Sequence, residues 1–386
     1  MPIRPAHGAG TLRRVAEIKP FRAIRYDEDQ AGPLAALVAP PYDVIDPEER
    51  LDYLARSPYN VVHLTLPDSE QRAADDFASW RHDGVLVAQE APALWALEQD
   101  YVGPDGVRRT RCGLLAALRT EPYEQRVVLP HERTHAGPKE GRLRLLRAVR
   151  AQLEPIFLLY EGQAPLEFPG GEPELEADGA GAASRLWRID DPGVHEAVTG
   201  WFADRKLLIA DGHHRYETTL AFSAEDGSPA SAYMMAVLVS AGDPGLQIFP
   251  THRAVSSLEK VNGSISQAVP GGPYEGLREL NALPPGLPAA VLYRKGETLL
   301  LTGKEAEPDA RFVERLGLEG ITYTPNADEA VGRVDSGQAE AALLLRPLRV
   351  EQVTAVAERG ETMPQKSTYF YPKLLSGLLF LALDLL

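Results

Sequence analysis

The sequence of 386 residues predicts a mixed α/β (α+β) fold, in which helices pack on a mixed sheet. Short β-branched segments alternate irregularly with amphipathic ones, and the predicted strands cluster in the middle of the chain. An apolar fraction of 44% is ordinary for a folded globular protein. Because this length permits two units, we predict a core domain over residues 1–254, with large insertions, and a C-terminal lobe over residues 255–386.

The first predicted elements follow from local residue chemistry. Asp46 and Pro47 predict a helix start, because aspartate is a good N-cap and proline fits the first helical position. Residues 60–66 (NVVHLTL) are β-branched and apolar, so they predict a strand. The same periodicities predict a helix at 73–82 and paired strands at 94–101 and 109–118.

The middle of the chain contains one clear amphipathic helix. Residues 140–153 place Leu143, Leu146, Val149 and Leu153 at helical spacing. Residues 161–183 are rich in Gly, Glu, Pro and Ala, and we predict a surface loop there. Further strands are predicted at 156–160, 186–189, 206–210, 233–240, 246–250, 290–294, 298–302 and 341–345.

Composition restricts the partners and the compartment. A net charge of −15 disfavours nucleic acid and anionic membranes, because like charges repel. Cys112 is the only cysteine, so no internal disulfide forms, and the N-terminus lacks the apolar segment of a signal peptide. The apolar run 374–386 is too short to span a bilayer, and we predict a docked helix. We expect a cytoplasmic protein, and a homodimer stays open.

The sharpest signal is the turn Asp211-Gly212-His213-His214-Arg215, between a predicted strand and a predicted helix. Free backbone N–H groups and a partial positive charge at a helix N-terminus favour a phosphate. Gly212 permits close approach of the backbone, and Arg215 can donate to two phosphate oxygens. We predict catalytic roles for Asp211, His213 and His214. The alternative is that Asp211 caps the helix and the histidines serve the core.

A second cluster, His131-Glu132-Arg133-Thr134-His135, has the H-E-x-x-H spacing of zinc peptidases. That pattern needs a helix, and the flanking prolines and glycine disfavour one. We therefore predict that the loop reaches the same pocket, with Glu132 as a catalytic base and His131, Lys139 and Arg142 binding phosphate. A zinc hydrolase at His131 and His135 remains an alternative, whereas the favoured interpretation predicts no resident metal site in the protein.

Two other polar segments carry groups that bind anions. Residues 251–253 (THR) follow a strand and a proline, and residues 363–373 are dense in lysine and hydroxyl side chains. Such groups can surround a phosphate or a carboxylate. The predicted phosphate ligands here are His252, Arg253, Lys366, Ser367 and Thr368. An ordinary tight loop with a surface lysine is the alternative for 363–373.

Several stretches, spread in order over almost the whole chain, resemble the prokaryotic family catalogued as domain of unknown function 1015. They are APPYDVI (39–45), NVVHL (60–64), LPHERTH (129–135), GPKEGRL (137–143), ADGHHRYETTL (210–220), GLQIFPTHR (245–253) and MPQKSTYFYPKLLSG (363–377). The match is specific because the segments are many and collinear. The resemblance does not by itself imply a function.

Residues 206–220 (KLLIADGHHRYETTL) are also similar to the core box of the ParB/sulfiredoxin superfamily. That superfamily includes nucleotide-binding chromosome-partitioning proteins and a kinase that phosphorylates free serine with ADP. The resemblance implies a ParB-like core within 1–254 and nucleotide phosphates at the DGHHR turn. The kinase uses a glutamate ahead of the box as its base, for which Glu48, Glu49 and Glu132 are the candidates.

These observations lead to one favoured function and two alternatives. We expect a nucleotide-dependent phosphotransferase that acts on a small polar metabolite such as serine, using ADP or ATP with Mg²⁺ held by Asp211 or by water. The first alternative is a non-catalytic nucleotide-binding regulator of the ParB type, which binds a nucleotide without transfer. The second is the zinc hydrolase. The sequence contains neither a P-loop nor a G-x-S-x-G motif.

Overall fold

A computed structural model describes residues 16–134, 136–258 and 265–386. The strands, in chain order, are β1 (Ile18–Lys19), β2 (Ile24–Tyr26), β3 (Leu86–Ala88), β4 (Leu94–Val102), β5 (Arg108–Arg119), β6 (Val128–Leu129), β7 (Ala151–Gln152), β8 (Ile156–Tyr160), β9 (Leu175–Gly179), β10 (Ala182–Ile189), β11 (Leu207–Asp211), β12 (Tyr233–Ser240), β13 (Gln247–Phe249), β14 (His252–Leu258), β15 (Ile265–Ala268), β16 (Ala289–Arg294), β17 (Glu297–Thr302), β18 (Leu318–Thr324), β19 (Ala341–Leu344), β20 (Tyr369–Tyr371) and β21 (Leu381–Ala382). The helices are α1 (Glu28–Ala31), α2 (Leu34–Leu37), α3 (Pro47–Arg56), α4 (Val62–Thr65), α5 (Glu70–His82), α6 (Ala136–Val149), α7 (Pro192–Phe202), α8 (His213–Asp226), α9 (Gly272–Ala282), α10 (Asp309–Glu314), α11 (Ala327–Asp335) and α12 (Val350–Glu358).

A nine-stranded sheet forms the larger part of the fold. Its strand order is β6-β11-β8-β12-β5-β4-β10-β9, and β1 pairs with β5 beside this path. Strand β11 runs parallel to β6 and antiparallel to β8, while β8 is parallel to β12. The sheet is therefore mixed, and the predicted mixed α/β fold is confirmed.

Both faces of this sheet are buried, which explains why its central strands are almost wholly apolar. Along β12, Met235 and Val237 enter one core, whereas Met234 and Ala236 enter the other. Helices α5 and α6 and the end of the chain cover the first face, and α7 covers the second. Strand β11 therefore runs through a rigid interior and places its end, with the start of α8, in a fixed position.

A six-stranded sheet with the order β15-β17-β16-β19-β14-β18 forms beside the first one. Helix α10 packs on one face through Phe312 and Val313, and α9 and α11 pack on the other through Leu280 and Val334. From Met363 onward the chain returns to the large sheet, where β20 pairs with β13 and β21 pairs with β7. The division into 1–254 and 255–386 stays a prediction.

Most of the predicted elements occur where the sequence places them. Helix α3 begins at Pro47, and the Asp46 carboxylate accepts hydrogen bonds from the backbone N–H groups of Glu48 and Glu49. The Glu49 carboxylate in turn accepts the N–H of Asp46, which completes a capping box. Strands β4, β5, β8, β11 and β12 and helices α5, α6 and α8 also match their predicted positions closely.

The predicted strand at residues 60–66 is wrong, because Val62–Thr65 is a short helix. A short apolar run is compatible with either element, so tertiary contacts decide. Here the buried Asn60 side chain accepts the N–H of Val62 and donates to the carbonyl groups of Ala36 and Val38. These bonds fix the start of the helix and turn its apolar residues into the core.

Two other predictions need correction. Residues 161–183 are not wholly a loop, because Leu175 and Ala177 point inward from strand β9 while Glu176 and Asp178 point outward. The C-terminal run 374–386 is not a docked helix. Its backbone pairs instead with β7 and, at Phe380, with Ile24, and these bonds replace helical ones. In the described parts of the chain, no helix is long and apolar enough to cross a membrane.

Candidate functional site

A cavity of about 540 Å³ lies where the large sheet, the second sheet and the C-terminal segment meet. This volume is typical of sites for small molecules. The described residues that line it are Tyr42, Asp43, Val44, Glu132, Ala210, Asp211, Gly212, His213, His214, Arg215, Thr251, Tyr323, Thr324, Pro325, Glu329, Gln365, Lys366, Thr368, Tyr369 and Lys373. The predicted DGHHR turn therefore forms part of the wall.

The turn between β11 and α8 depends on Gly212. Its φ angle is 98°, in the left-handed region that favours glycine. A Cβ atom at this position would lie 2.6 Å from Cγ2 of the buried Ile156. The N-cap residue Gly212 has no side chain to cap α8, and the first turn of α8 lines the cavity. The positive end of the helix dipole is therefore directed toward a ligand at the cavity wall.

Asp211 is held between two cations. Its carboxylate accepts from Nη2 of Arg215 at 3.1 Å and from Nζ of Lys373 at 3.2 Å. Burial alone would raise the pKa of Asp211, but the charges of Lys373, Arg215 and Lys366 outweigh it and hold the pKa below the ordinary range. Arg215 also donates to the Pro155 carbonyl. In this arrangement Arg215 braces the turn, and Asp211 remains ionised.

The two histidines of the turn differ in their surroundings. His213 is buried, and its Nε2 accepts the backbone N–H of His131 at 3.3 Å. Burial, followed by the neighbouring His131, lowers the pKa of His213 well below the ordinary value, so the ring stays neutral. His214 is half-buried and lines the cavity. His214 is therefore the better placed of the two to contact a ligand.

His131 lies behind the turn rather than in the cavity wall. Its Nδ1 donates to the Ile209 carbonyl at 2.7 Å, and its Nε2 is 3.0 Å from the Thr368 hydroxyl. Burial lowers the pKa of His131 to about 4. Both ring nitrogens are therefore engaged, which leaves none for phosphate or zinc. His135 lies outside the described residues, among which no cluster of three or more side chains could ligate a metal.

Glu132 is the carboxyl group in the cavity whose protonation changes near neutral pH. Burial raises its pKa to about 7, against the opposing effect of the backbone N–H and the charge of Lys366. A backbone bridge between Glu132 and Met363 ties this loop to the C-terminal segment. The side chain therefore faces the cavity from a fixed position, with a pKa suited to general base catalysis.

The C-terminal segment supplies two lysines to the cavity, Lys366 and Lys373. Sequence analysis did not select Lys373, whose only signal is the density of cations and hydroxyls in 363–373. Buried residues of the large sheet fix its backbone. Arg111 donates to the Pro372 carbonyl at 2.8 Å, and Gln99 donates to the Lys373 carbonyl at 3.4 Å. The Arg111 guanidinium also lies 4.5 Å from the centre of the Phe157 ring.

Two of the predicted phosphate ligands on and near α6 make other contacts. Lys139 forms an ion pair with Glu217 at 2.7 Å. Arg142 donates to the Thr65 carbonyl and lies 4.0 Å from the centre of the Tyr42 ring. Neither residue belongs to the described lining of the cavity. Arg142 therefore contributes to the cavity only indirectly, because it packs on Tyr42, and Tyr42 lines the cavity.

Three further predicted ligands also lie outside the described lining. The buried Ser367 hydroxyl donates to a backbone carbonyl in its own turn. His252 and Arg253 are buried in β14, where Nδ1 of His252 accepts a backbone N–H and Arg253 donates to a backbone carbonyl. Burial lowers the pKa of His252 to about 4. All three side chains bond to backbone groups in this structure, and their roles as phosphate ligands stay predictions.

The second sheet contributes a wall that sequence analysis missed. Thr251, Tyr323, Thr324 and Glu329 line the cavity from β18, α11 and the residue before β14. The Thr251 hydroxyl is buried and has no hydrogen-bond partner among the described residues. Thr251 belongs to the predicted segment 251–253 but was not selected as a ligand, and Tyr323, Thr324 and Glu329 match no motif, so only the folded chain brings these residues to the DGHHR turn.

Comparison with solved structures gives several remote matches. A conserved hypothetical protein from Pyrococcus furiosus is 14% identical, with coverage of 67% of this chain and 94% of that one and a TM-score of 0.40. A free serine kinase in complex with AMP is also 14% identical, covering 67% and 90%, with a TM-score of 0.42. Truncated SbnI from Staphylococcus aureus is 12% identical, covering 68% and 85%, with a TM-score of 0.31.

A search of curated proteins returns no match. The family model described as "Protein of unknown function (DUF1015)" matches residues 18–272, well over half of the chain. That range includes the DGHHR turn and Glu132, while the cavity wall from β18 and the two cavity lysines lie beyond it. The resemblance seen in the sequence is thereby confirmed, and the chain belongs to the DUF1015 family.

Proposed function

We propose that this protein is a nucleotide-dependent phosphotransferase that transfers a phosphoryl group from ADP or ATP to the hydroxyl of a small polar metabolite. One observation carries the proposal. A single cavity is lined by the N-terminal turn of α8, the cations of Lys366 and Lys373, and the Glu132 carboxyl group with its pKa of about 7. Phosphoryl transfer needs donors and cations around the phosphates and a base for the acceptor.

The nucleotide would bind with its phosphates at the start of α8. The N–H groups of the first turn donate to phosphate oxygens, and Lys366 and Lys373 neutralise their charge. Mg²⁺ bound with the nucleotide would neutralise part of the phosphate charge. Arg215 and Lys373 already occupy oxygens of the Asp211 carboxylate. We therefore expect Mg²⁺ to be held by phosphate and water instead of by Asp211.

Glu132 would act on the acceptor. The acceptor oxygen forms a bond to the terminal phosphorus, and the bond from that phosphorus to the bridging oxygen breaks. The nucleotide leaves with the bridging oxygen and its electron pair, and the acceptor proton passes to the Glu132 carboxylate. A carboxyl group with a pKa of about 7 can accept this proton and release it to water at neutral pH.

Nucleotide titration tests the proposal first. Calorimetry and thermal melting with ADP, ATP, CTP and GTP, each with magnesium, should find one nucleotide that stabilises the protein. His214→Ala and Lys373→Met should weaken its binding roughly 10-fold or more. Lys206→Met is a matched control, because Lys206 is an exposed lysine outside the described lining. If no nucleotide binds the wild type, the proposal is wrong.

Turnover separates the enzyme from a nucleotide-binding regulator. Production of AMP from ADP, or of ADP from ATP, that depends on an added hydroxy compound supports the kinase. Glu132→Gln should abolish this turnover while nucleotide binding persists. Tight binding without transfer to any acceptor would instead favour the regulator.

A further inference from the structure

The second sheet contributes a polar wall to the cavity, separate from the C-terminal segment that carries the lysines. Thr251 directly precedes β14, in which His252 pairs with Thr324 of β18, so the two threonines lie at the same end of paired strands. The Thr324 hydroxyl donates to Oε2 of Glu329 at 2.6 Å. We call Thr251, Thr324 and Glu329 the acidic wall.

One group on the acidic wall lacks the partner that its burial demands. Thr251 is 5% exposed, and its hydroxyl has no hydrogen-bond partner among the described residues. A buried hydroxyl without a partner is costly, so such groups are normally satisfied by protein, water or ligand. Because Thr251 lines the cavity, a ligand group can supply the missing bond.

The charge of the acidic wall indicates what kind of ligand group it would bind. The hydrogen bond from Thr324 lowers the pKa of Glu329, so its carboxylate is ionised at neutral pH. Arg333 donates two hydrogen bonds to Oε1, at 3.1 and 2.9 Å, and Thr324 donates one to Oε2. Because a carboxylate has about four acceptor positions, one position on Oε2 remains for a ligand. Among the described lining residues, this side of the cavity contributes no lysine or arginine, whereas Lys366 and Lys373 belong to the C-terminal segment.

We infer that the acidic wall binds the phosphoryl acceptor and selects acceptors that carry an ammonium group beside the reacting hydroxyl. The inference rests on the proposed phosphotransferase function and names its substrate class. An ammonium group has three donors, and the wall offers a carboxylate and two hydroxyl oxygens as acceptors. The lysines attract the phosphates of the nucleotide, whereas the Glu329 carboxylate offers phosphate oxygens no hydrogen-bond donor, which leaves this wall to the acceptor.

Matched pairs of acceptors test the inference. Serine is compared with glycerate, in which a hydroxyl replaces the ammonium group, and ethanolamine is compared with ethylene glycol. Wild-type protein should prefer the aminated member of each pair. Glu329→Gln and Thr251→Val should raise the KM for aminated acceptors roughly 10- to 100-fold and change kcat little, because they remove ground-state binding to a charged group. Glu319→Gln, an exposed change on β18 outside the lining, is the control.

Nucleotide affinity, measured on the same variants, separates the outcomes. An unchanged nucleotide Kd with a raised acceptor KM supports the inference. A weakened nucleotide Kd would mean that the wall holds the ribose hydroxyls, which overturns the inference but keeps the phosphotransferase. Equal use of aminated and non-aminated acceptors also overturns it. Failure of the wild type to bind any nucleotide removes the proposed function, and this inference falls with it. Thermal melts of each variant identify losses caused by misfolding.

Discussion

Gly212→Ala should destabilise the protein more than any ordinary glycine substitution. The residue has a φ of 98°, and an added Cβ would lie 2.6 Å from Cγ2 of Ile156. Ile156 is completely buried in the core of the large sheet, so it has little room to move away. Two separate penalties therefore act at one position: an unfavourable backbone conformation and a steric contact.

The size of the effect follows from these two penalties. A left-handed conformation costs a non-glycine residue about 1–2 kcal/mol, and forcing an extra methyl group into a packed core costs about 1–3 kcal/mol. Reduced entropy of the unfolded chain returns about 0.4–1 kcal/mol. We expect the free energy of unfolding to fall by about 2–4 kcal/mol.

Two other glycines provide matched controls for the same substitution. Gly227, at the end of α8, has a φ of 69° and open space around its Cβ position, so Gly227→Ala measures the backbone penalty alone. Gly200 lies within α7 with nothing near, so Gly200→Ala should stabilise the protein by about 0.5–1 kcal/mol. Urea unfolding can be followed by tryptophan fluorescence. All four tryptophans lie before residue 202, so the signal reports on that part of the chain. If Gly212→Ala costs no more than Gly227→Ala, the contact with Ile156 does not constrain the turn.

Four further predictions concern the base, a helix cap and the support of Lys373. The kcat/KM of the wild type should rise as pH increases through about 7, because Glu132 accepts a proton only when ionised, and a profile without this step excludes it as the base. Since its pKa is raised in the folded state, Glu132 should also lower stability as pH rises from about 4.5 to 7, and urea unfolding of Glu132→Gln should lack that decline. Asp46→Ala should cost about 1 kcal/mol of stability in urea unfolding through loss of the capping box, with nucleotide affinity unchanged; a stability equal to that of the wild type would show that the cap contributes nothing. Arg111→Met should weaken nucleotide binding roughly 10-fold in calorimetry, because the carbonyl before Lys373 loses its donor, and Arg111→Lys should restore part of it; an unchanged Kd would mean that Lys373 does not depend on Arg111.

Sequence analysis succeeded where local chemistry decides the structure. The helix start at Asp46 follows from one side chain that satisfies the N–H groups beside it. The turn at Gly212 follows from an apolar strand, a glycine and a helical segment in succession. Sequence analysis failed at residues 60–66, because a short apolar run suits a strand or a helix equally. The hydrogen bonds that decide the structure join Asn60 to Ala36 and Val38, which are distant in sequence.

The candidate site shows the same difference between what local sequence predicts and what the fold decides. Glu132, Lys366 and the DGHHR turn were predicted from the sequence and do line the cavity. Histidine and arginine in the same motifs look equally suited to phosphate, but His131 and Arg253 are buried and bonded to protein groups. Residue type does not distinguish a ligand from a structural partner, because the distinction depends on which polar atoms the fold brings near.

The sequence by itself therefore determined the fold class, the strand-turn-helix at Asp211 to His213 and the presence of cationic segments, because each depends on neighbours along the chain. The tertiary structure decided which side chains share a cavity. It brought Lys373 to Asp211 through buried contacts of the large sheet, and it placed Thr251 and Glu329 in the same cavity. These contacts depend on long-range packing, in which residues far apart in sequence are buried together away from water. A local sequence pattern does not reveal which distant residues will be buried together.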